Sequence, residues 1–225
     1  MLLSHFAISG YDRKSRRQLV WAVDAKRDGM MTDSSPRLIA ERGRVCLVVV
    51  PRPQPDIGDV INDPSDKQLI EGVGIEPLTA YPDNRGMFAE LFRLGEPGIA
   101  RDFDSAHGAR IQVSFTVTYP GVIKAIHYHL EQTDLWAPLD GMFQVFLCDF
   151  RESSPTCGRV NTIFVGSQRR WKLRIPPGVG HGYRVIGPDS GMLLYVTDRT
   201  YDPQDEGRIR FDDPDINYDW TTRPK

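Results

Sequence analysis

From about residue 72 onward, hydrophobic and polar positions either alternate or gather in short apolar blocks, with Gly and Pro between them. Ile111, Val113, Phe115, Val117 and Tyr119 alternate with Gln112, Ser114, Thr116 and Thr118, the period-2 mark of a half-buried strand. Met142 to Phe150 is apolar on both faces except at Gln144 and Asp149, which predicts a central strand. Trp171 to Ile175 and Met192 to Thr197 predict further strands. Turn signals separate them at Pro120-Gly121, Asp140-Gly141, Pro176-Pro177-Gly178 and Pro188-Asp-Ser-Gly191. Strands at this spacing with Gly/Pro punctuation predict a sandwich, barrel or jelly roll, and no helix of any length is expected in this half. Residues 1–70 read as an N-terminal extension or small flanking element, with strands expected at Gln18 to Asp24 and Arg44 to Val50. The passage Val50-Pro-Arg-Pro-Gln-Pro-Asp56 breaks regular structure there, since each Pro removes a donor and holds φ.

The chain has 225 residues, enough for one large domain with an extension, here divided at 70/71. Hydrophobic content of 40% and charged content of 26% are ordinary for a globular protein. A formal net charge of -2 argues against a nucleic-acid partner, which calls for a strongly basic surface. Arg13-Lys14-Ser15-Arg16-Arg17 reads as a solvated basic cluster. Cys46, Cys148 and Cys157 are odd in number and form no CxxC pair, against a disulfide framework or a cysteine zinc site. The aliphatic run Val45 to Val50 is too short to cross a bilayer. The N-terminus has the wrong order of charge and apolar residues for a secretory signal. A reducing cytoplasmic setting, with no membrane partner, is the expectation. Neither GxGxxG after a strand nor a P-loop is present.

The candidate chemistry lies in Gly121-Val-Ile-Lys-Ala-Ile-His127-Tyr-His129 and, some fifty residues on, Pro176-Pro-Gly178-Val-Gly-His181. Side chains at i and i+2 of a strand share a face, about 6.5–7 Å apart. Unbroken strand phasing puts Ile123, Ala125, His127 and His129 on one face, and Val122, Lys124, Ile126 and Tyr128 on the other, unless a bulge intervenes. Imidazole is the side chain most readily poised for proton transfer or metal binding near neutral pH. Gln132 and Asp134 flank this face just downstream and Tyr195 follows on a later strand; the His, Asp, Tyr and His set is expected to converge in a β cup suited to acid–base chemistry.

At these residues the chain resembles the dTDP-4-dehydrorhamnose 3,5-epimerase family. The resemblance covers about residues 73–220. It rests on Asp83-Asn-Arg85-Gly-Met-Phe88-Ala-Glu90, Gly121-Val-Ile-Lys-Ala-Ile-His127-Tyr, Asp149-Phe-Arg151-Glu-Ser-Ser-Pro155-Thr156-Cys-Gly158, Ile175-Pro-Pro-Gly178-Val-Gly-His181-Gly-Tyr183, and Tyr201-Asp-Pro-Gln-Asp-Glu206 with Asp212-Asp213-Pro214. It implies an all-β, cupin-type double-stranded β-helix (jelly roll), a homodimer, and a cofactor-independent epimerase of a nucleotide-linked 4-keto-6-deoxy sugar. By position it implies His127 as base, Tyr195 as proton donor and Tyr201 near the nucleotide base. Arg85, Phe88, Glu90 and Gln112 match nucleotide or sugar contacts, and His181 lines the sugar site. Arg85 and Lys124 are placed to meet the diphosphate.

Three departures bear on function. Where the family reads Arg-Gly-Leu-His-Tyr-Gln, this sequence reads Lys124-Ala-Ile-His127-Tyr-His129. A Lys of the next strand aligns with Asp134, a reversal of charge. The family's base is paired with an Asp in a Leu-Ser-x-x-Asp segment, and the residues after Trp220 contain none. Asp134 is therefore expected to orient His127 or His129. The same departures favour a rival. Gly121, five residues, His127-x-His129, four residues, Asp134, six residues and Gly141 nearly reproduce a cupin metal motif, with His181 in the second one. His127, His129, Asp134 and His181 would suit one divalent transition metal in an isomerase or oxygenase. A third reading is a non-catalytic module that binds nucleotide sugars.

Overall fold

The computed structural model describes residues 56–103 and 110–221 in full and, of the earlier chain, the backbone of residues 8–11, 18–21, 37–42 and 46–50. Those early segments make two antiparallel hairpins: β1 (Ile8–Tyr11) with β2 (Gln18–Trp21), and β3 (Arg37–Arg42) with β4 (Cys46–Val50). β2 and β4 fall where strands were expected; β1 and β3 are partners that the pattern did not reveal. The basic cluster at 13–17 and the proline-rich stretch 51–55 lie outside the described residues.

The remaining strands are β5 (Asp59–Val60), β6 (Gly74–Pro77), β7 (Ala80–Asp83), β8 (Gly86–Ala89), β9 (Gln112–Thr118), β10 (Ile123–His129), β11 (Asp134–Asp140), β12 (Met142–Asp149), β13 (Val160–Gly166), β14 (Trp171–Ile175), β15 (Val179–Ile186), β16 (Gly191–Thr197) and β17 (Glu206–Arg208). They form a six-stranded sheet in the order β17-β10-β15-β12-β13-β5 and a five-stranded sheet in the order β6-β14-β11-β16-β9. β7 and β8 make a separate hairpin. Every regular element among the described residues is a strand, and the result is the all-β jelly roll that the pattern and the resemblance predicted.

The sheets face each other across a core that includes Trp136, Phe143, Val145, Leu147, Ile163, Val165, Leu173, Val185 and Leu193. β12 shows why its segment is apolar on both faces. It lies between β13 and β15, with Phe143, Val145 and Leu147 turned inward and Phe146 and Cys148 packed outward. The outward cluster is covered by Ile209, Ile216, Tyr218 and Trp220 of the C-terminal segment. The two polar exceptions are satisfied. Gln144 donates to the Tyr218 hydroxyl and the Asp219 carbonyl, while buried Asp149 accepts from Arg151, Ser154 and Thr156. Ile61 and Ile70 belong to the inner core and β5 pairs with β13. The roll thus takes in the end of the segment read as an extension.

Two strands depart from simple expectation. β9 has the expected alternation, but its polar side is the inner one: Phe115 is 69% exposed and Tyr119 75%, while Gln112 and Thr116 line a cavity. Burial of the apolar side is forgone because the space between the sheets at this end is polar. β10 carries a bulge: Lys124 is opposite Tyr183 and His127 opposite His181, so three residues of one strand span two of its neighbour. The bulge re-phases the strand. Lys124 shares the cavity with His127 and His129, and Ile123 and Ala125 join the outer cluster of Ile126 and Tyr128. Gly182 allows it, since a Cβ there would collide with Ala125.

Candidate active site

Where the inner core stops, the two sheets enclose a cavity of about 440 Å³. The six-stranded sheet contributes Lys124, His127 and His129 from β10, His181 and Tyr183 from β15, and Glu206 and Arg208 from β17. Gln112, Asp134, Trp136 and Tyr195 come from β9, β11 and β16 of the other sheet. Tyr201 stands at the rim, where its backbone N–H donates to the Gln112 side chain at 3.1 Å. His127 and Tyr195 therefore look into one space from opposite walls.

β17 pairs with β10 at the sheet edge, with His127 opposite Arg208 and His129 opposite Glu206. His127 Nδ1 lies 2.8 Å from Glu206 Oε1, and Arg208 Nε donates to the same oxygen at 2.7 Å. The carboxylate accepts the Nδ1 hydrogen, so Nε2 of a neutral His127 keeps its lone pair. Burial raises the pKa of Glu206, but hydrogen bonds from Arg208 and His127 outweigh it and leave the carboxyl below its ordinary value. Asp134 was expected to orient His127 or His129; the structure gives His127 to Glu206 and joins Asp134 to His129 through the Gln132 amide. Glu206 was visible only as part of the Tyr201–Glu206 segment, and nothing in the spacing tied it to His127. Asp205 next to it accepts the backbone N–H groups of Leu130, Glu131 and Gln132 at 2.9–3.0 Å, which fixes the turn after β10.

Asp134 lies deeper, 5% exposed. Its Oδ1 accepts from the Gln132 amide at 2.7 Å and its Oδ2 from the Trp136 indole at 3.2 Å. The same Gln132 nitrogen is 3.1 Å from His129 Nε2, so the amide bridges His129 and Asp134. His181 Nδ1 donates to the Val179 carbonyl at 3.0 Å, and its Nε2 is 3.6 Å from Asp134 Oδ2. The His181 ring lies beside those of His127 and His129, with centroids 6.5 and 5.6 Å apart.

The proposed metal ligands are only partly assembled. His129, Asp134 and His181 place ligand-type atoms within 4.8 Å of one another, but His127 is turned to Glu206. Of the three, His129 Nε2 takes a hydrogen from Gln132, each Asp134 oxygen takes one from Gln132 or Trp136 and keeps a further lone pair, and His181 Nε2 presents an open lone pair. A divalent metal there would draw on Asp134 and His181 with His129 beside them, and His127, paired with Glu206, stands outside the set.

Three predicted contacts fall outside the cavity of this chain. Arg85 and Phe88 are on the exposed β7–β8 hairpin, where Arg85 pairs with Asp83 and Phe88 stacks on Tyr81. Glu90 pairs with Arg93 at 2.6 Å. Conversely, Gln132, Trp136, Glu206 and Arg208 line the cavity without having been assigned a role from sequence.

Comparison with known proteins fits this geometry. The family model for dTDP-4-dehydrorhamnose 3,5-epimerase matches residues 67–225. The chain belongs to the dTDP-4-dehydrorhamnose 3,5-epimerase family. It is 42% identical over 156 residues to the spore coat polysaccharide biosynthesis protein SpsL of Bacillus subtilis, covering 68% of this chain and 98% of that protein. It is 35% identical over 154 residues to the probable low-salt glycan biosynthesis epimerase of Haloferax volcanii, covering 67% and 94%. Among solved structures, the dTDP sugar isomerase of Desulfovibrio desulfuricans superposes with a TM-score of 0.60 at 29% identity over 67% of this chain and 92% of that one. The Legionella pneumophila epimerase in complex with dTDP-4-keto-L-rhamnose gives 0.57 at 28% identity over 67% and 79%. The family match covers every cavity residue named above and all of the jelly roll except β5 and the residues next to it.

Proposed function

We propose that this chain epimerises a nucleotide-linked 4-keto-6-deoxy sugar. One observation carries the reading: an imidazole held by a carboxylate on one wall of a sugar-sized cavity, with a phenol on the opposite wall. A C–H beside a ketone is acidic because its carbanion delocalises into the carbonyl. His127 Nε2 removes that proton from one face. Tyr195 returns a proton to the same carbon from the other, and the centre is inverted. Lys124 and Arg208 at the cavity wall supply positive charge for a diphosphate, the first as a point charge and the second as a planar fork. Tyr201 at the rim offers a face for the nucleotide base. No step requires a metal or redox cofactor.

The reading extends to assembly and setting. β9 is an edge strand whose outward row of Val113, Phe115, Val117 and Tyr119 is exposed, and Tyr81, Met87 and Phe88 on the hairpin are exposed as well. Burial of such a face against a second copy is the straightforward remedy, so the chain acts as a homodimer. No helix among the described residues is long and apolar enough to cross a membrane. Together with free Cys148 and Cys157, this supports a cytoplasmic setting.

Incubation with a 4-keto-6-deoxy sugar nucleotide in deuterated buffer tests the chemistry, with the product read by mass. Deuterium is expected at the carbon, or carbons, beside the ketone. Tight binding without any deuterium uptake would make the protein a binding module instead.

A further inference from the structure

The floor of the cavity gathers nitrogen and oxygen donors that the proposed reaction leaves idle. His129 from the end of β10, Asp134 from the start of β11 and His181 from β15 each place one ligand-type atom within 4.8 Å of the other two. All three are buried, at 8%, 5% and 4% exposure. Asp134 Oδ2 and His181 Nε2 lie 3.6 Å apart. That is too long for a hydrogen bond, and close to the roughly 3.3–3.5 Å between neighbouring nitrogen and oxygen ligands of a tetrahedral ion.

The surroundings of these side chains are those of ligands. His181 donates from Nδ1 to the Val179 carbonyl at 3.0 Å, which turns the lone pair of Nε2 to the cavity. Trp136 Nε1 donates to Asp134 Oδ2 at 3.2 Å. His129 Nδ1 is buried with no hydrogen-bond partner, and Asp205 Oδ2 stands 4.0 Å from it. Metal sites orient a ligating imidazole through its other nitrogen, and a ligating carboxylate through a donor, in this way. The Gln132 amide nitrogen sits among the three, 2.7 Å from Asp134 Oδ1 and 3.1 Å from His129 Nε2. Its hydrogens bring partial positive charge to two acceptors at once, so it stands in for a cation. It leaves the His181 lone pair unmet.

We propose that His129, Asp134 and His181 form a binding site for one divalent transition-metal ion, which displaces the Gln132 amide. Two imidazoles and one carboxylate suit zinc, iron, manganese, cobalt or nickel, whereas magnesium and calcium call for oxygen donors throughout. His127, paired with Glu206, stands outside the set. Asp134 offsets one of the ion's two charges, and Asp205 beside His129 and Glu206 opposite it on β17 add negative charge. The cations of the cavity wall are engaged elsewhere, Lys124 with Thr116 at 2.7 Å and Arg208 with Glu206 at 2.7 Å. Three protein ligands leave a coordination position facing the cavity, open to an oxygen ligand. This ligand set stands on its own geometry and is independent of the epimerase reading, none of whose steps uses the ion.

Cobalt(II) titration of the full chain, first stripped with a chelator, tests the site by visible absorbance and thermal melting. One cobalt per chain is expected, with the bands of a four- or five-coordinate ion, displacement by zinc and none by magnesium. Saturation should raise the melting temperature. His181→Ala and Asp134→Ala should weaken binding more than about 10²-fold, beyond the 10–100-fold typical of a supporting residue. His181→Gln and Asp134→Asn replace them if melting without metal shows either alanine variant unfolded. Gln132→Ala should bind at least as tightly as the unmodified protein, since the competing amide is gone, and His127→Ala should keep one cobalt per chain. Absence of cobalt bands would overturn the proposal. So would binding that survives substitution of Asp134 and His181, which would mark an adventitious surface site.

Discussion

At the scale of single residues, the site separates its two carboxylates by environment. Glu206 is held ionised by Arg208 and His127, while Asp134 sits among neutral donors. Glu206→Gln should therefore lower turnover about 10²-fold with little change in KM, because a neutral amide no longer stabilises the charge that His127 gains when its Nε2 takes the substrate proton. Steady-state kinetics on a 4-keto sugar nucleotide would check this. His181 makes a separate prediction about stability. Its ordinary pKa of 6.5 applies in the unfolded chain, and burial draws it to about 4 in the fold. Between those values the unfolded chain binds more protons, so stability falls as pH drops from 6.5 toward 4, by at most about 1.4 kcal/mol per unit. The loss levels off below the folded value. Melting temperatures across this range should fall less steeply for His181→Gln than for the unmodified protein. Of the site residues, Tyr195 was singled out by the family resemblance, and the imidazoles were legible in the sequence because strand periodicity and motif spacing are local. Glu206 was not, since its link to His127 crosses 79 positions.

At the scale of elements, β10 and β17 decide what the cavity can do. The extra residue in β10 turns Lys124 toward the histidines, against the reading of an unbroken strand. It needs the close approach of Gly182. Gly182→Ala should cost about 1–3 kcal/mol, since the added methyl meets backbone as well as the Ala125 side chain. Denaturant unfolding would measure that loss, with turnover falling further than stability as Lys124 and His127 shift together. β17 is only three residues long, yet it carries Glu206 and Arg208 at the sheet edge. So short a run gives no periodic signal. Its position comes from pairing with β10 and from Ile209, whose backbone exchanges hydrogen bonds with Ile126 at 3.0 and 2.9 Å.

At the scale of the whole molecule, the feature left unbalanced is the apolar outer row of β9. A protein of this size can leave single apolar residues in water, but a continuous row on an edge strand invites pairing. Sedimentation should show a dimer, and Phe115→Glu should shift it toward monomer with the melting temperature lowered; a monomeric unmodified protein would contradict this. The same row shows how a correct strand can mislead. Alternation at 111–119 gave the strand, but the usual inference that the apolar side is inside fails where the interior is a polar cavity.

The sequence by itself determined the class of fold and the place of several strands, because turns and alternation act between near neighbours, and its motifs pointed to the histidines of the cavity. Only the tertiary structure decided which carboxylate serves which imidazole, how the bulge turns β10 and why His127 stands apart from the His129, Asp134 and His181 group. Each of those depends on cross-sheet packing and on how buried groups divide a small number of hydrogens. Such arrangements arise when distant segments are brought into contact, and no local pattern carries them.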